Sequence, residues 1–289
     1  MRIEALTDVR TLLGESPVWD VDAQRISWVD SLGRRIFRAT ADGRELESLE
    51  VPANIGSMVL RRGGGAVGAL KTGLHFIDLA TGELEAITDP EAHLPDNTLN
   101  DGKVDRQGRF WFGSMDTTEA GPHGALYRLD PDLTLTRIRD GVTVSNGPCW
   151  APDDRTFYFS DSGTGAMTAF DFDLESGSIA NPRPFAQALG GGSVDGATVD
   201  AEGFVWSAQV YAGRLARFAP DGTLEREIAM PTGAVTSVMF GGPELDVLFV
   251  TSMERALRTG ARPDGAMAGR LFAIHGLGIR GLPEPKFGG

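Results

Sequence analysis

The sequence predicts an all-β fold, a six-bladed β-propeller forming one domain over residues 1–289, and three observations carry that prediction. Short apolar runs, usually with an aromatic, recur six times, beginning at Ile26, Ala66, Phe110, Phe157, Phe204 and Val247. Their starts are 40, 44, 47, 47 and 43 residues apart, the period of four-stranded blades arranged in a ring. The 38 glycines fall largely in pairs such as Asp-Gly, Gly-Gly and Thr-Gly, which favour tight turns between short strands. No segment carries a long 3.6-residue apolar pattern.

Each copy follows one grammar. A strand leads into a polar turn, as at Arg106-Gln107-Gly108, Asp153-Asp154 or Ala201-Glu202-Gly203, and the apolar strand follows. An outer strand of roughly alternating character comes next, for example Arg35 to Arg38, Leu74 to Ile77, Ala125 to Arg128 and Leu215 to Phe218. A two-sheet sandwich or a stack of small β domains requires no such even spacing. Closing the ring leaves residues 3 to 12 to pair near residues 270 to 275. The segment from Gly281 to Gly289, with two prolines, is expected to be loosely held.

Composition narrows the function classes. Apolar residues make up 41% and charged residues 23%, enough to build a core and too apolar for disorder. A net charge of −13 argues against a nucleic-acid partner, which needs a basic surface. The only cysteine, Cys149, rules out an intrachain disulfide framework and a thiolate zinc site. Residues 1 to 8 lack an apolar signal-peptide core, and no run of about 18 apolar residues occurs. The expectation is therefore a cytoplasmic protein without membrane contact. Gly63-Gly64-Gly65-Ala66-Val67-Gly68 matches G-x-G-x-x-G, but without a βαβ context it reads as a hairpin turn. His75, His93, His123 and His275 show no ligand spacing. Trp19, Trp28, Trp111, Trp150 and Trp206 read as packing between blades; the repeat of Trp206 also contains Asp195, and loop residues just beyond Trp206 are expected at the channel mouth.

Polar residues flanked by Gly or Pro recur in phase with the repeat: Gly14-Glu15-Ser16-Pro17, Asn100-Asp101-Gly102, Ser145-Asn146-Gly147-Pro148 and Val194-Asp195-Gly196. Taken singly, Asn-Gly and Asp-Gly are ordinary turn dipeptides. Glu15 has no such turn virtue. In a propeller the innermost strands converge on one axis, so residues 50 to 130 positions apart can share a site. Two carboxylates and one or two amide oxygens form a hard donor set suited to Ca²⁺, Mg²⁺ or Mn²⁺ and tolerable for Zn²⁺.

These residues, with Val18-Trp19, Lys103-Val104-Asp105, Gly108 to Met115 and Ala197 to Gly203 around them, resemble the SMP-30/gluconolactonase/luciferin-regenerating-enzyme-like family over nearly the whole chain. The resemblance implies that Glu15, Asn146 and Asp195 ligate one divalent cation and that Asn100 faces substrate or completes the coordination. It makes Asp195 the candidate general base, with activation of water by the cation an equal alternative. Asp101 is either a partner that holds the turn or purely structural. The implied reaction is hydrolysis of a small sugar lactone to an aldonate by a monomer or small homo-oligomer. Thr98 and Thr117 stand where the family's sugar lactonases often carry Arg and Glu, so both usual substrate contacts are changed. Either loops supply replacements, with Asp116, Glu119, Lys71, Gln209 and Tyr211 as the candidates, or the substrate differs from a plain hexonolactone. Alternatives are an esterase or phosphotriesterase-like hydrolase and a non-enzymatic calcium-binding propeller.

Overall fold

Polar turns at short intervals cut the chain into strands too short to be stable alone, and the strands assemble into blades that bury each other's faces. The computed structural model describes residues 1–254 and 265–289. A short strand, β1 (Arg2–Ala5), comes first. Blade 1 holds β2 (Gly14–Asp20), β3 (Arg25–Asp30), β4 (Arg35–Thr40) and β5 (Glu47–Glu50). Blade 2 holds β6 (Ile55–Leu60), β7 (Ala66–Leu70), β8 (Gly73–Ile77) and β9 (Leu84–Thr88). Blade 3 holds β10 (Asn97–Val104), β11 (Phe110–Asp116), β12 (Gly124–Leu129) and β13 (Leu135–Val142). Blade 4 holds β14 (Ser145–Trp150), β15 (Thr156–Asp161), β16 (Ala166–Asp173) and β17 (Ser178–Gln187). Blade 5 holds β18 (Ser193–Val199), β19 (Val205–Val210), β20 (Arg214–Phe218) and β21 (Leu224–Ala229). Blade 6 holds β22 (Val235–Gly241), β23 (Val247–Ser252) and β24 (Phe272–His275), with β1 as its fourth strand.

The six repeats of the sequence are thus six blades, and the recurring apolar run is the second strand of each. The segments expected as outer strands are third strands. Of the outermost ones, β5, β13, β17 and β21 are largely exposed and β9 is half-buried, and they carry little apolar signal. Ring closure is antiparallel, with Arg2 to Ala5 paired to His275 to Phe272. Leu6 and Thr11 extend the closure through single backbone bonds to Leu271 and Gly269. The Gly-rich run at 63 to 65 is the β6–β7 hairpin turn.

Six apolar clusters fill the six interfaces between blades. Trp28 and Phe37 of blade 1 meet Phe249 and Leu271 of blade 6, and Trp111 of blade 3 meets Phe157 and Phe172 of blade 4. Burying one such aromatic is worth roughly 2–3 kcal/mol. Cys149 lies in the cluster between blades 4 and 5, where burial pushes its thiol up to about 12. Trp206 is fully buried and donates its indole N–H to Asp200 Oδ2 at 2.9 Å. Trp111 and Asp105 repeat that pair in blade 3 at 2.9 Å.

The segment after Gly281 differs from expectation. It crosses one face of the ring and ties several blades together. Gly281 N donates to Leu245 O, Phe287 N to Leu60 O at 2.8 Å and Gly288 N to Gly108 O at 2.9 Å. Lys286 pairs with Asp20 at 3.0 Å and Asp22 at 2.6 Å, and Phe287 is fully buried in the cluster between blades 2 and 3. Its prolines preclude a strand ladder, but a buried phenyl ring anchors it without one.

Candidate functional site

Every innermost strand carries a register shift at the same level. The breaks lie between Glu15 and Val18, Ile55 and Ser57, Leu99 and Gly102, Asn146 and Cys149, Val194 and Ala197, and Val235 and Val238. A bulge frees residues from the ladder and re-aims their side chains. In blades 1 and 4 it contains Ser16-Pro17 and Gly147-Pro148, with φ at +48° for Ser16 and +56° for Gly147. Proline has no N–H to lose at a break in the ladder, which gives the Gly/Pro flanks their physical meaning. The bulge level is crowded. A Cβ on Gly56 would stand 2.4 Å from Leu99 O and 2.5 Å from Asn100 Cα.

Through these bulges, Glu15 of blade 1, Asn100 of blade 3, Asn146 of blade 4 and Asp195 of blade 5 line one cavity of about 70 Å³. Leu13, Met115, Val144, Val210 and Met253 form its apolar wall, and Ser162, Ser193, Glu119 and Tyr211 add polar groups. Blades 2 and 6 place Gly56 and Thr236 at the same level, and Thr236 Oγ1 donates to Gly14 O.

Hydrogen bonds orient the amides. Asn146 Nδ2 donates to Ser162 Oγ at 2.8 Å, so the nitrogen side is occupied and Oδ1 is the atom left as an acceptor. Asn100 Nδ2 donates to Ser145 O at 2.9 Å and approaches Asn146 Oδ1 at 3.4 Å. Asp101 does not line the cavity; its carboxylate accepts from Gly102 N at 2.8 Å and from Gly147 N at 2.9 Å, joining the bulges of blades 3 and 4. Lys103, further along the same strand, donates to Ala197 O at 2.7 Å and lies 3.8 Å from Glu284.

The electrostatics are those of a site short of positive charge. Burial, then repulsion from Asp195 and Asp101, pushes the Glu15 carboxyl well above its usual range, opposed by a hydrogen bond from the Ser16 backbone. Burial also raises Asp101, against the pull of Lys103. Glu15 Oε2 is buried with no hydrogen-bond partner among the described residues. Leaving such an atom bare is costly, whereas a divalent cation would satisfy it and relieve the repulsion. The donor set of carboxylate and amide oxygens fits a hard cation.

The remaining candidates divide. Glu119 and Tyr211 line the cavity, both with positive φ, at +53° and +67°. Thr98 and Thr117 do not line it; Thr98 Oγ1 lies 3.3 Å from Leu99 O, and Thr117 Oγ1 donates to Asp96 O at 2.9 Å. Gln209 is buried, accepting from Leu189 N at 2.9 Å, and Lys71 donates to Pro95 O at 2.6 Å. Asp116 holds Thr118 and His123. None of the histidines lines the cavity. Sequence reasoning missed Ser162 and Ser193, which sit outside the Gly/Pro-flanked motifs, and the apolar wall, whose residues read as ordinary core.

Comparison with known proteins agrees with this architecture. Regucalcin of Danio rerio is 33% identical over 293 residues, covering 100% of this chain and 99% of its own. The 6-deoxy-6-sulfogluconolactonase of Pseudomonas putida is 34% identical over 282 residues, covering 96% of each chain. The crystal structure of a calcium-binding protein, regucalcin, from Agrobacterium tumefaciens superposes with a TM-score of 0.90 at 27% identity, covering 98% of this chain and 96% of that one. Residues 13–254 match the SMP-30/Gluconolactonase/LRE-like region, and the chain belongs to that family.

Proposed function

We propose that this protein hydrolyses a small sugar lactone to the open-chain aldonate with the help of one divalent cation, using the cavity where the innermost strands of blades 1, 3, 4 and 5 meet. The observation that carries the reading is the convergence of Glu15, Asn146 and Asp195 around a buried carboxylate oxygen that lacks a partner. Kinship with lactonases by name, the P. putida sulfogluconolactonase among them, supports the reaction class.

Glu15, Asn146 and Asp195 would hold the cation. When bound, the cation polarises the lactone carbonyl and stabilises the negative charge that develops on its oxygen. Asn100 presents an amide to the ring substituents, and Ser162 keeps the Asn146 amide in its ligating orientation. The apolar wall of Leu13, Met115, Val144, Val210 and Met253 excludes bulk water and packs the ring face. Asp195 accepts a proton from the attacking water and, as the bond between the carbonyl carbon and the ring oxygen breaks, returns it to that oxygen, which leaves as a hydroxyl of the open-chain acid. Glu119 and Tyr211 take the substrate-facing places for which Thr98 and Thr117 are unsuited.

Steady-state assays on variants test the assignment. Glu15→Ala and Asp195→Ala are each expected to lower kcat/KM by at least about 10³-fold and to lose cation binding by calorimetry while keeping the β circular-dichroism spectrum. Retention of activity within about tenfold in either variant would remove that residue from the machinery.

A further inference from the structure

Blade 3 departs from an arrangement that blades 1 and 4 share. In blades 1 and 4 the aspartate ending the second strand clamps the chain as it enters the first strand. Asp30 accepts from Leu12 N at 2.9 Å and Leu13 N at 3.1 Å, and Asp161 accepts from Thr143 N and Val144 N, both at 3.0 Å. Asp116 holds the equivalent position, paired with Asn97 as Asp30 is with Gly14 and Asp161 with Ser145. Here, however, the residue matching Leu12 and Thr143 is Pro95, which has no N–H to donate. Asp116 is turned instead to Thr118 N at 2.8 Å and His123 Nδ1 at 2.9 Å.

A different acid does the joining. Glu91, in the connection between β9 and β10, is 5% exposed. Its Oε1 accepts from Ser114 Oγ at 2.7 Å and Tyr127 OH at 2.8 Å, and its Oε2 accepts from Asn97 Nδ2 at 2.9 Å. Asn97 Nδ2 spends its second hydrogen on His123 O at 3.0 Å. Three of the four linked segments carry a cavity residue, the exception being β12 with Tyr127. Asn97 opens the strand bearing Asn100, Ser114 precedes Met115, and His123 closes the turn bearing Glu119. Burying a carboxylate is expensive compared with filling the same space with an apolar side chain, and packing alone does not require it.

We infer that Glu91 is a positioning residue for substrate, its buried carboxylate setting Asn100, Met115 and Glu119 in register on the blade 3 side of the cavity. The inference rests on the lactonase reading of that cavity. It assigns Glu91 no contact with substrate or cation.

The test combines amide hydrogen exchange with steady-state kinetics on the full-length protein, as wild type, Glu91→Leu, Glu91→Gln and Tyr127→Phe. Glu91→Leu removes both acceptor oxygens. Glu91→Gln keeps the shape but offers one acceptor oxygen instead of two. The expected result is lost protection in residues 94–99 and 114–124 of Glu91→Leu, with residues 14–18, 145–149 and 193–197 unchanged. KM should rise about tenfold with kcat within about twofold, cation affinity by calorimetry should be unaltered, and Glu91→Gln and Tyr127→Phe should fall between. The inference is overturned if exchange and KM stay at wild-type values in Glu91→Leu. It is equally overturned if protection falls across all blades while kcat and cation affinity fall with it. A wild type inactive on every lactone would defeat the lactonase reading, and the exchange pattern would still decide whether Glu91 sets these segments.

Discussion

At the scale of single residues, the carboxylates in and around the cavity differ by environment. Glu15 and Asp101 are raised by burial, while Asp116, outside the cavity lining, is lowered to about 2 by hydrogen bonds from Thr118 and His123. A carboxylate whose folded-state pKa lies below its unfolded value of 3.8 adds stability that is present above pH 3.8 and lost as pH falls through about 2. Thermal melts of wild type and Asp116→Asn across pH 2 to 7 check this, since the wild type's advantage should hold at neutral pH and shrink through that acid window. An advantage unchanged at pH 2 would contradict the assignment. The sequence made Glu15 conspicuous because no turn calls for glutamate between Gly14 and Ser16-Pro17. It concealed Glu91, whose importance depends on three donors from three separate segments and on Pro95 lacking an N–H.

At the scale of elements, the innermost and second strands were legible and the outermost were not. The second strands are apolar on both faces because each packs between neighbouring blades, so their runs stand out at the repeat period. β5, β13 and β17 are largely exposed and sit at sheet edges, where neither alternation nor apolarity is required. The bulges were visible only through their Gly and Pro flanks. The segment from Gly281 to Gly289 reads as loosely held in the sequence because a chain without a ladder gives no periodic signal. Its anchor is Phe287, fully buried beside Val59, Val67 and Leu129. Phe287→Ala should therefore cost about 3–5 kcal/mol in urea unfolding, far more than a loosely held tail would lose. A cost under about 1 kcal/mol would show that the segment adds little to the ring.

At the scale of the whole molecule, a ring of six blades brings residues 15, 100, 146 and 195 to one axis, which no local motif could do. The family's architecture supplies the converging strands, and this chain's own residues shape the cavity and its surroundings: Glu119 and Tyr211 line it, Thr98 and Thr117 are turned to local bonds outside it, and Glu91 ties blade 3 segments together. Among the described residues no helix is long and apolar enough to cross a membrane. The central claim is that the cavity is a cation-dependent lactonase site, and its most direct test is proton release by the purified protein. The panel would hold five- and six-membered aldonolactones, acidic and sulfonated ones included, after EDTA treatment and with Ca²⁺, Mg²⁺, Mn²⁺ or Zn²⁺ restored. Rapid acid release that EDTA abolishes and one of these cations restores is the expected result; silence across the panel with the cation bound, or turnover indifferent to EDTA, would contradict it.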